Sequence, residues 1–279
     1  LSQINVFIDM FFASSFQGAA SGLAYGNLLI QAPLGIISNS LILPLLPKFS
    51  KLRSDKDNIE FQKKLISGIE YCFLTTIFLT GFFITFNNQI VQLVFQRGAF
   101  DYLATLKVKN ILIAYGVGIP FYLYRDLLVR TYYLIEKTKF PFKLSAAGIM
   151  LNIFFDWFLI GAPIKNFGNV SPYNFGVVGI ILSSVIVNLI VCILLSFNLQ
   201  NEDINLPNLN LLKKIILMSL ASCIDSTLCI NILKNTHKYD SNLSEFLLLI
   251  FGSLTFFIIY FLLTKYLKVN KIQIYQKKI

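Results

Sequence analysis

Apolar residues in this chain come in long runs separated by short polar gaps. Eight runs can be marked, over residues 3–16, 23–46, 65–86, 111–134, 144–162, 175–197, 215–233 and 246–264. A helix rises about 1.5 Å per residue and bilayer hydrocarbon is about 30 Å thick, so roughly 20 residues cross it. Most of the runs supply that length, while the first is short and reads as clipped at its start. Backbone polar groups left unpaired in hydrocarbon cost several kcal/mol each, so runs of this kind must be helical. The pattern predicts an all-α integral membrane protein, a polytopic bundle of about eight transmembrane helices.

The gaps carry the orientation signal. Lys and Arg number 16 in the gaps at 48–64, 136–143, 198–214 and 265–279, against 6 in the alternate gaps at 87–109, 163–174 and 234–245. Basic loops stay on the cytoplasmic side, which makes the richer set and the C-terminus cytoplasmic. The gap at 87–109 is the longest, and its stretch IVQLVFQRGAF (residues 90–100) fits a brief amphipathic helix at the opposite surface.

Composition agrees and removes rival classes. Hydrophobic residues make up 56% of the 279 and charged ones only 14%, which is too little polar surface for a soluble protein of this size. The net charge of +10 lies mostly between the apolar runs, where it suits lipid headgroups and topology rather than a nucleic acid. Cys72, Cys192, Cys223 and Cys229 fall inside apolar runs without metal-ligand spacing and read as small hydrophobes. No secretory signal is visible, and Leu1 in place of Met points to a fragment or an unusual start codon.

The second run is the least uniform. Pro33, Pro44 and Pro47 remove backbone donors, and Gly22, Gly26 and Gly35 weaken the helix, so a bend is expected. Asn27, Gln31 and Asn39 recur at spacings of four and eight, which gives one polar face. Such a stripe suits the lining of a cavity, although membrane helices also tolerate amide residues in ordinary packing.

Charges inside the runs are the candidate chemistry, since a charge at a helix centre costs roughly 2.5–3.5 kcal/mol on insertion scales. Asn5 and Asp9 stand four apart, and Asn152 and Asp156 repeat that arrangement. Two such pairs can form an oxygen-rich site for a hard monovalent cation; helix-to-helix hydrogen bonding and a proton-titrating Asp156 fit the spacing equally well. Arg125 and Asp126 diverge by about 100° on one helix, so Asp126 is expected to pair with another helix. Arg130 is placed to snorkel toward headgroups, and the deeper Arg125 to meet an anionic substrate, whose phosphate oxygens its fork of donors fits. Asp225 is an interior charge without an assigned purpose, Glu70 sits near a span end, and His237 falls in a polar gap. Gly176 and Gly179 read as close helix packing. The chain shows no phosphate-cradling Gly-rich loop, metal cluster or nucleophile elbow, which leaves no enzyme reading and no cofactor beyond a coupling ion.

Four stretches carry a resemblance. QINVFIDMFFAS (3–14), AYGNLLIQAPLGIISNSLILPLLPKFSKL (24–52), LVFQRGAFD (93–101) and YYLIEKTKFPFK (132–143), in this order and spacing, resemble the MurJ/MviN family. These are the lipid II flippases of peptidoglycan synthesis, within the larger group of multidrug, oligosaccharidyl-lipid and polysaccharide exporters. The resemblance implies the C-terminal part of a fourteen-span protein. Residues 1–200 would be the second six-helix lobe and 201–279 two further helices with a basic tail, the last two helices being associated with a groove for the lipid tail. It implies a carrier that moves an undecaprenyl-diphosphate-linked muropeptide across the inner membrane by alternating access. The partners would be this lipid-linked anionic saccharide, membrane lipids and an N-terminal lobe in the same or a separate chain, without nucleic acid. Asn27, Gln31, Asn39, Arg125, Asp126 and Arg130 would lie on the substrate path. A sodium site between three helices would fall on Asp9, Asn152 and Asp156, with Ser184 and the Ile180 carbonyl. The chain departs from the family with Asn27-Leu28 where many members have Asp-Arg, and with Lys137 where an Asp is usual. Low Gly and Ala, with abundant Ile, Asn, Lys and Phe, and the cyanobacterial flavour of the second motif admit a plastid membrane. A different polysaccharide-lipid or drug/cation exporter, or a non-transporting membrane scaffold, would share the same bundle.

Overall fold

A computed structural model describes residues 2–54, 58–98, 100–161, 173–200, 209–236 and 242–267. His237, Lys165 and the basic tail from 268 onward lie outside the described residues. The described chain is helical, and each of the eight apolar runs falls on a helix. α1 covers Ser2–Ala13. α2 covers Ala19–Ile37 and passes through a wider π-helical turn, Ser38–Ile42, into α3, Leu43–Ser54. The rest are α4 (Asn58–Thr85), α5 (Asn87–Phe95), α6 (Tyr102–Leu134), α7 (Lys139–Ile160), α8 (Val177–Gln200), α9 (Leu209–Thr236) and α10 (Asn242–Tyr266). Seven stretches among the described residues are long and apolar enough to cross a membrane, and α1 contributes a shorter apolar piece, Ile4–Ala13.

Helix starts differ from the apolar runs for a physical reason. α4 begins at Asn58 rather than 65, and α6 at Tyr102 rather than 111. The added turns are polar but helix-competent. Glu60 pairs with Lys64 at 2.7 Å, and the Asp101 carboxylate caps α6 by accepting from the Ala104 amide at 2.8 Å. Hydropathy marks where a helix meets lipid, not where it ends. Glu70, expected near a span end, therefore lies three turns inside α4. The short helix expected over residues 90–100 instead occupies Asn87–Phe95, because Gly98 turns the chain at φ +60°.

The π turn has a local cause. Pro44 cannot donate to Ser40, and its ring crowds that carbonyl, so the backbone widens just before it. Gly22 and Gly26 let α2 lie against α6; a Cβ on Gly26 would stand 2.5 Å from Ile111. Gly179 brings α8 onto the end of α7, where an added Cβ would meet the Leu159 carbonyl oxygen at 2.7 Å. Gly176 has a different task from the packing expected of it: it turns the chain into α8 at φ +59°.

α6 is the central post, packed against α2, α4 and α8, with α7 and α1 covering α8. One end of the bundle is filled by Phe49, Phe61, Leu65, Leu127, Tyr132 and Leu195, the other by Phe12, Leu23, Ile111, Ile160 and Ile180. α9 packs on α4 and α10, and α10 reaches back to α5. Hydrogen bonds fasten these last two helices to α4: Ser219 donates to the Ile77 carbonyl at 3.2 Å and Tyr260 to the Leu74 carbonyl at 2.7 Å. Pro120, inside α6, leaves the Gly116 carbonyl without its helical donor, and the Thr80 hydroxyl of α4 supplies one at 2.9 Å. Thr80→Val should leave that oxygen unpaired and lower stability by about 1–3 kcal/mol. Thermal unfolding in detergent is the check, with Thr80→Ser expected to behave like the parent.

Candidate functional site

Three helices bring their polar residues to one place. Asp9 comes from α1, Asn152 and Asp156 from one face of α7, and Ser183 and Ser184 from α8. Asn152, Asp156 and Ser183 are at most 1% exposed. The Asn152 amide nitrogen donates to Asp9 Oδ1 at 3.0 Å and to Asp156 Oδ2 at 3.1 Å. The Asn152 oxygen accepts from Ser184 at 3.1 Å and from Ser183 at 3.5 Å. Asn152 therefore uses both N–H groups, and its oxygen is held by Ser184, so its orientation is set on three sides. Ser183 also reaches Asp156 Oδ1 in a short contact and the Ile180 carbonyl at 2.8 Å. One hydroxyl proton serves one of these acceptors at a time.

The Asp9 and Asp156 carboxyl groups share the one Asn152 amide nitrogen, which holds them side by side. Two such groups together in a low-dielectric interior need a proton or a cation between them. The side-chain oxygen of Asn5, one turn before Asp9, is buried without a hydrogen-bond partner. No group of three or more His, Cys, Asp or Glu gathers among the described residues. The donor set is thus all oxygen: two carboxylates, amides, hydroxyls and a backbone carbonyl. That set fits a hard monovalent cation better than a transition metal.

Asp9, Asn152, Asp156, Ser184 and Ile180 are therefore brought together as the sequence suggested. Ser183 is the member that sequence reasoning missed. Its signal was present, since Ser183 and Ser184 are adjacent and stand three and four residues after Ile180. Which of two neighbouring hydroxyls faces Asp156 depends on how α8 is rotated.

The other expected residues divide into two groups. Arg125 of α6 is half-buried, and its guanidinium donates to Asn188 Oδ1 at 2.8 Å and to Ser145 Oγ at 3.4 Å. These partners are neutral, and no carboxylate pairs with Arg125 among the described residues. Asn188, also unforeseen, turns its amide nitrogen to the Ser184 carbonyl at 2.7 Å. Asp126 makes its ion pair within α6, with Arg130 one turn on, at 2.9 Å. Its bond to another helix is from the neutral Ser38 hydroxyl in the π turn, at 3.2 Å. Arg130 accordingly reaches back one turn along its own helix through Nε. Asn27, Gln31 and Asn39 lie on the exposed side of α2 and the π turn, while Gly22, Leu23, Gly26 and Ile30 face inward. Gln31 donates to Asn27 at 3.3 Å. Between α4, α6 and α8 an apolar cavity of about 430 Å³ is lined by Phe73, Phe121, Tyr124, Cys192, Ser196 and Phe197.

Membrane-length helices packed around a buried polar network define an all-α polytopic membrane protein with the exporter fold. The chain belongs to the lipid II flippase MurJ family, which matches residues 1–263. A probable lipid II flippase MurJ from Synechocystis sp. is 40% identical over 186 residues, which is 67% of this chain and 33% of that protein. One from Rickettsia prowazekii is 30% identical over 152 residues, covering 54% of this chain and 30% of its own. A solved lipid II flippase MurJ in an inward closed conformation superposes with a TM-score of 0.74 at 26% identity, over 95% of this chain and 52% of the solved one. The matches thus span a third to a half of these relatives.

Ser183→Ala removes the donor held by the buried Asp156 carboxylate and should lower stability by about 1–3 kcal/mol. Ser184→Ala touches only the Asn152 oxygen and should cost less. Thermal unfolding of the two variants side by side tests the ranking.

Proposed function

We propose that this chain is the C-terminal portion of a carrier that flips lipid II, an undecaprenyl-diphosphate-linked muropeptide, by alternating access. The other lobe comes from the same or a separate chain. Family membership supports the reading, and one structural observation carries it at the residue level. Arg125 lies inside a membrane-crossing helix, held by an amide and a hydroxyl, with no carboxylate at ion-pair distance among the described residues. A guanidinium has five N–H donors in a fixed fork, so most of its capacity is left for the oxygens of a diphosphate. In this reading Asn27, Gln31 and Asn39 line the path opposite the other lobe, because a polar face turned outward in a membrane helix needs polar surroundings. Asp126 and Arg130, already paired to each other, set the tilt of α6 against Ser38 rather than bind the diphosphate.

Asp9, Asn152, Asp156, Ser183, Ser184 and the Ile180 carbonyl hold the coupling ion, sodium. When bound, sodium offsets the charge of one carboxylate, a shared proton leaves the other neutral, and the ion draws α1, α7 and α8 together. The 16-to-6 bias of Lys and Arg between alternate gaps puts the C-terminus in the cytoplasm, and a plastid membrane remains compatible with the composition.

The experiment is transport by the intact protein in proteoliposomes, read as accessibility of labelled lipid II at the outer leaflet. Arg125→Gln should slow flipping at least tenfold, with partial recovery in Arg125→Lys; unchanged flipping in Arg125→Gln would remove the residue from the path. Asp156→Asn should abolish sodium dependence of transport and sodium binding. Normal values for both would exclude the site from coupling.

A further inference from the structure

We propose that Asn188 is a positioning residue that links the α1–α7–α8 oxygen site to the Arg125 guanidinium; the inference rests on the cation reading of that site. Hydrogen bonds on either side of Ser184, one to its carbonyl and one from its hydroxyl, join them through its covalent frame. Arg125 Nη1 donates to Asn188 Oδ1 at 2.8 Å, and Asn188 Nδ2 donates to the Ser184 carbonyl at 2.7 Å. The Ser184 hydroxyl donates to Asn152 Oδ1 at 3.1 Å, and Asn152 Nδ2 bridges Asp9 and Asp156. Asn188, in the middle of the line, is 9% exposed, and Asn152 is 1% exposed, while Asp9, Ser184 and Arg125 are half-buried.

Asn188 suits this place because a primary amide accepts at one end and donates at the other. It holds a cationic side chain of α6 with its oxygen and the backbone of α8 with its nitrogen. Ser184 and Asn188 are four apart, so both face the same side of α8. Any rearrangement at the two carboxylates must move Asn152, whose two N–H groups are both committed to them. Moving Asn152 releases or pulls Ser184, and Asn188 passes that change to Arg125. A positive charge gained at the carboxylates also favours an anion at Arg125, so the mechanical and electrostatic effects share one sign. The link therefore tightens diphosphate binding when sodium is present, and by reciprocity the diphosphate tightens sodium binding by the same factor.

Two variants separate linkage from packing. Asn188→Leu keeps the bulk and loses both hydrogen bonds. Asn188→Asp is isosteric and keeps an acceptor for Arg125 but loses the donor to the Ser184 carbonyl. The intact protein is measured in detergent micelles in two ways: sodium affinity from sodium-dependent thermal stabilisation, and affinity for undecaprenyl diphosphate in sodium against choline buffer. The parent should bind undecaprenyl diphosphate about fivefold or more tightly in sodium, within the usual range of coupling between sites. Both variants should keep sodium affinity within about threefold of the parent, yet show a sodium effect on undecaprenyl diphosphate binding of less than about twofold, the through-space part that remains. The isosteric variant decides the matter if Asn188→Leu does not fold. An Asp variant that retains the full parental sodium effect overturns the linkage, and so does one that loses sodium binding itself, which makes Asn188 part of the site's scaffold. A parent that sodium stabilises without any change in undecaprenyl diphosphate affinity overturns the linkage alone. A parent that sodium does not stabilise overturns the cation reading, and the linkage with it.

Discussion

Hydrocarbon offers no hydrogen-bond partners, and that single deficit organises this bundle. Each polar group that a membrane helix carries inward must meet another polar group of the protein. The Gly116 carbonyl freed by Pro120 finds Thr80, and the buried Tyr132 hydroxyl finds the Leu195 carbonyl and Asn198. Tyr260 finds the Leu74 carbonyl. In each case the bond joins two helices, so satisfying the group also sets how those helices sit. Apolar contact cannot do this as selectively, because lipid tails compete with side chains on equal terms.

The charged residues follow the same rule with unequal success. Asp126 and Arg130 close on each other and on Ser38, and little is left over. Asp9 and Asp156 meet as two carboxyl groups with only neutral donors around them, and Arg125 has two neutral partners. These incomplete arrangements are where a structure departs from local optimality, and such departures concentrate at functional places. A carboxyl pair admits a cation, and a cation without a counter-charge admits an anion. In the proposed carrier the two deficits are complementary, one for the driving ion and one for the cargo.

α8 stands between them. It contributes Ile180, Ser183 and Ser184 to the oxygen site and Asn188 to Arg125, and Gly179 lets its first turn lie directly on α7. The close approach at Gly179 is what brings the Ser183 hydroxyl to Asp156. α2 has the opposite character. Its small residues pack inward on α6 while Asn27, Gln31 and Asn39 face away from this bundle, with a π turn before Pro44 bending the exposed face.

Much of this was legible in the residues themselves. Lipid thickness and the absence of water fix the length and helicity of apolar runs, so eight helices could be placed from periodic hydropathy alone. The spacing of Asn5 with Asp9 and of Asn152 with Asp156 put each amide beside its carboxylate, because i and i+4 share a helix face whatever else the chain does. The helix ends were not visible, since polar turns such as Asn58–Lys64 continue a helix beyond the lipid that hydropathy detects. Nor were partners on different helices. Whether Ser183 or Ser184 faces Asp156, whether Asp126 turns to Arg130 or to another helix, and whether Asn188 meets Arg125 all depend on how each helix is rotated about its axis. Local sequence says which residues share a face; only packing against α6 and α7 decides where that face points.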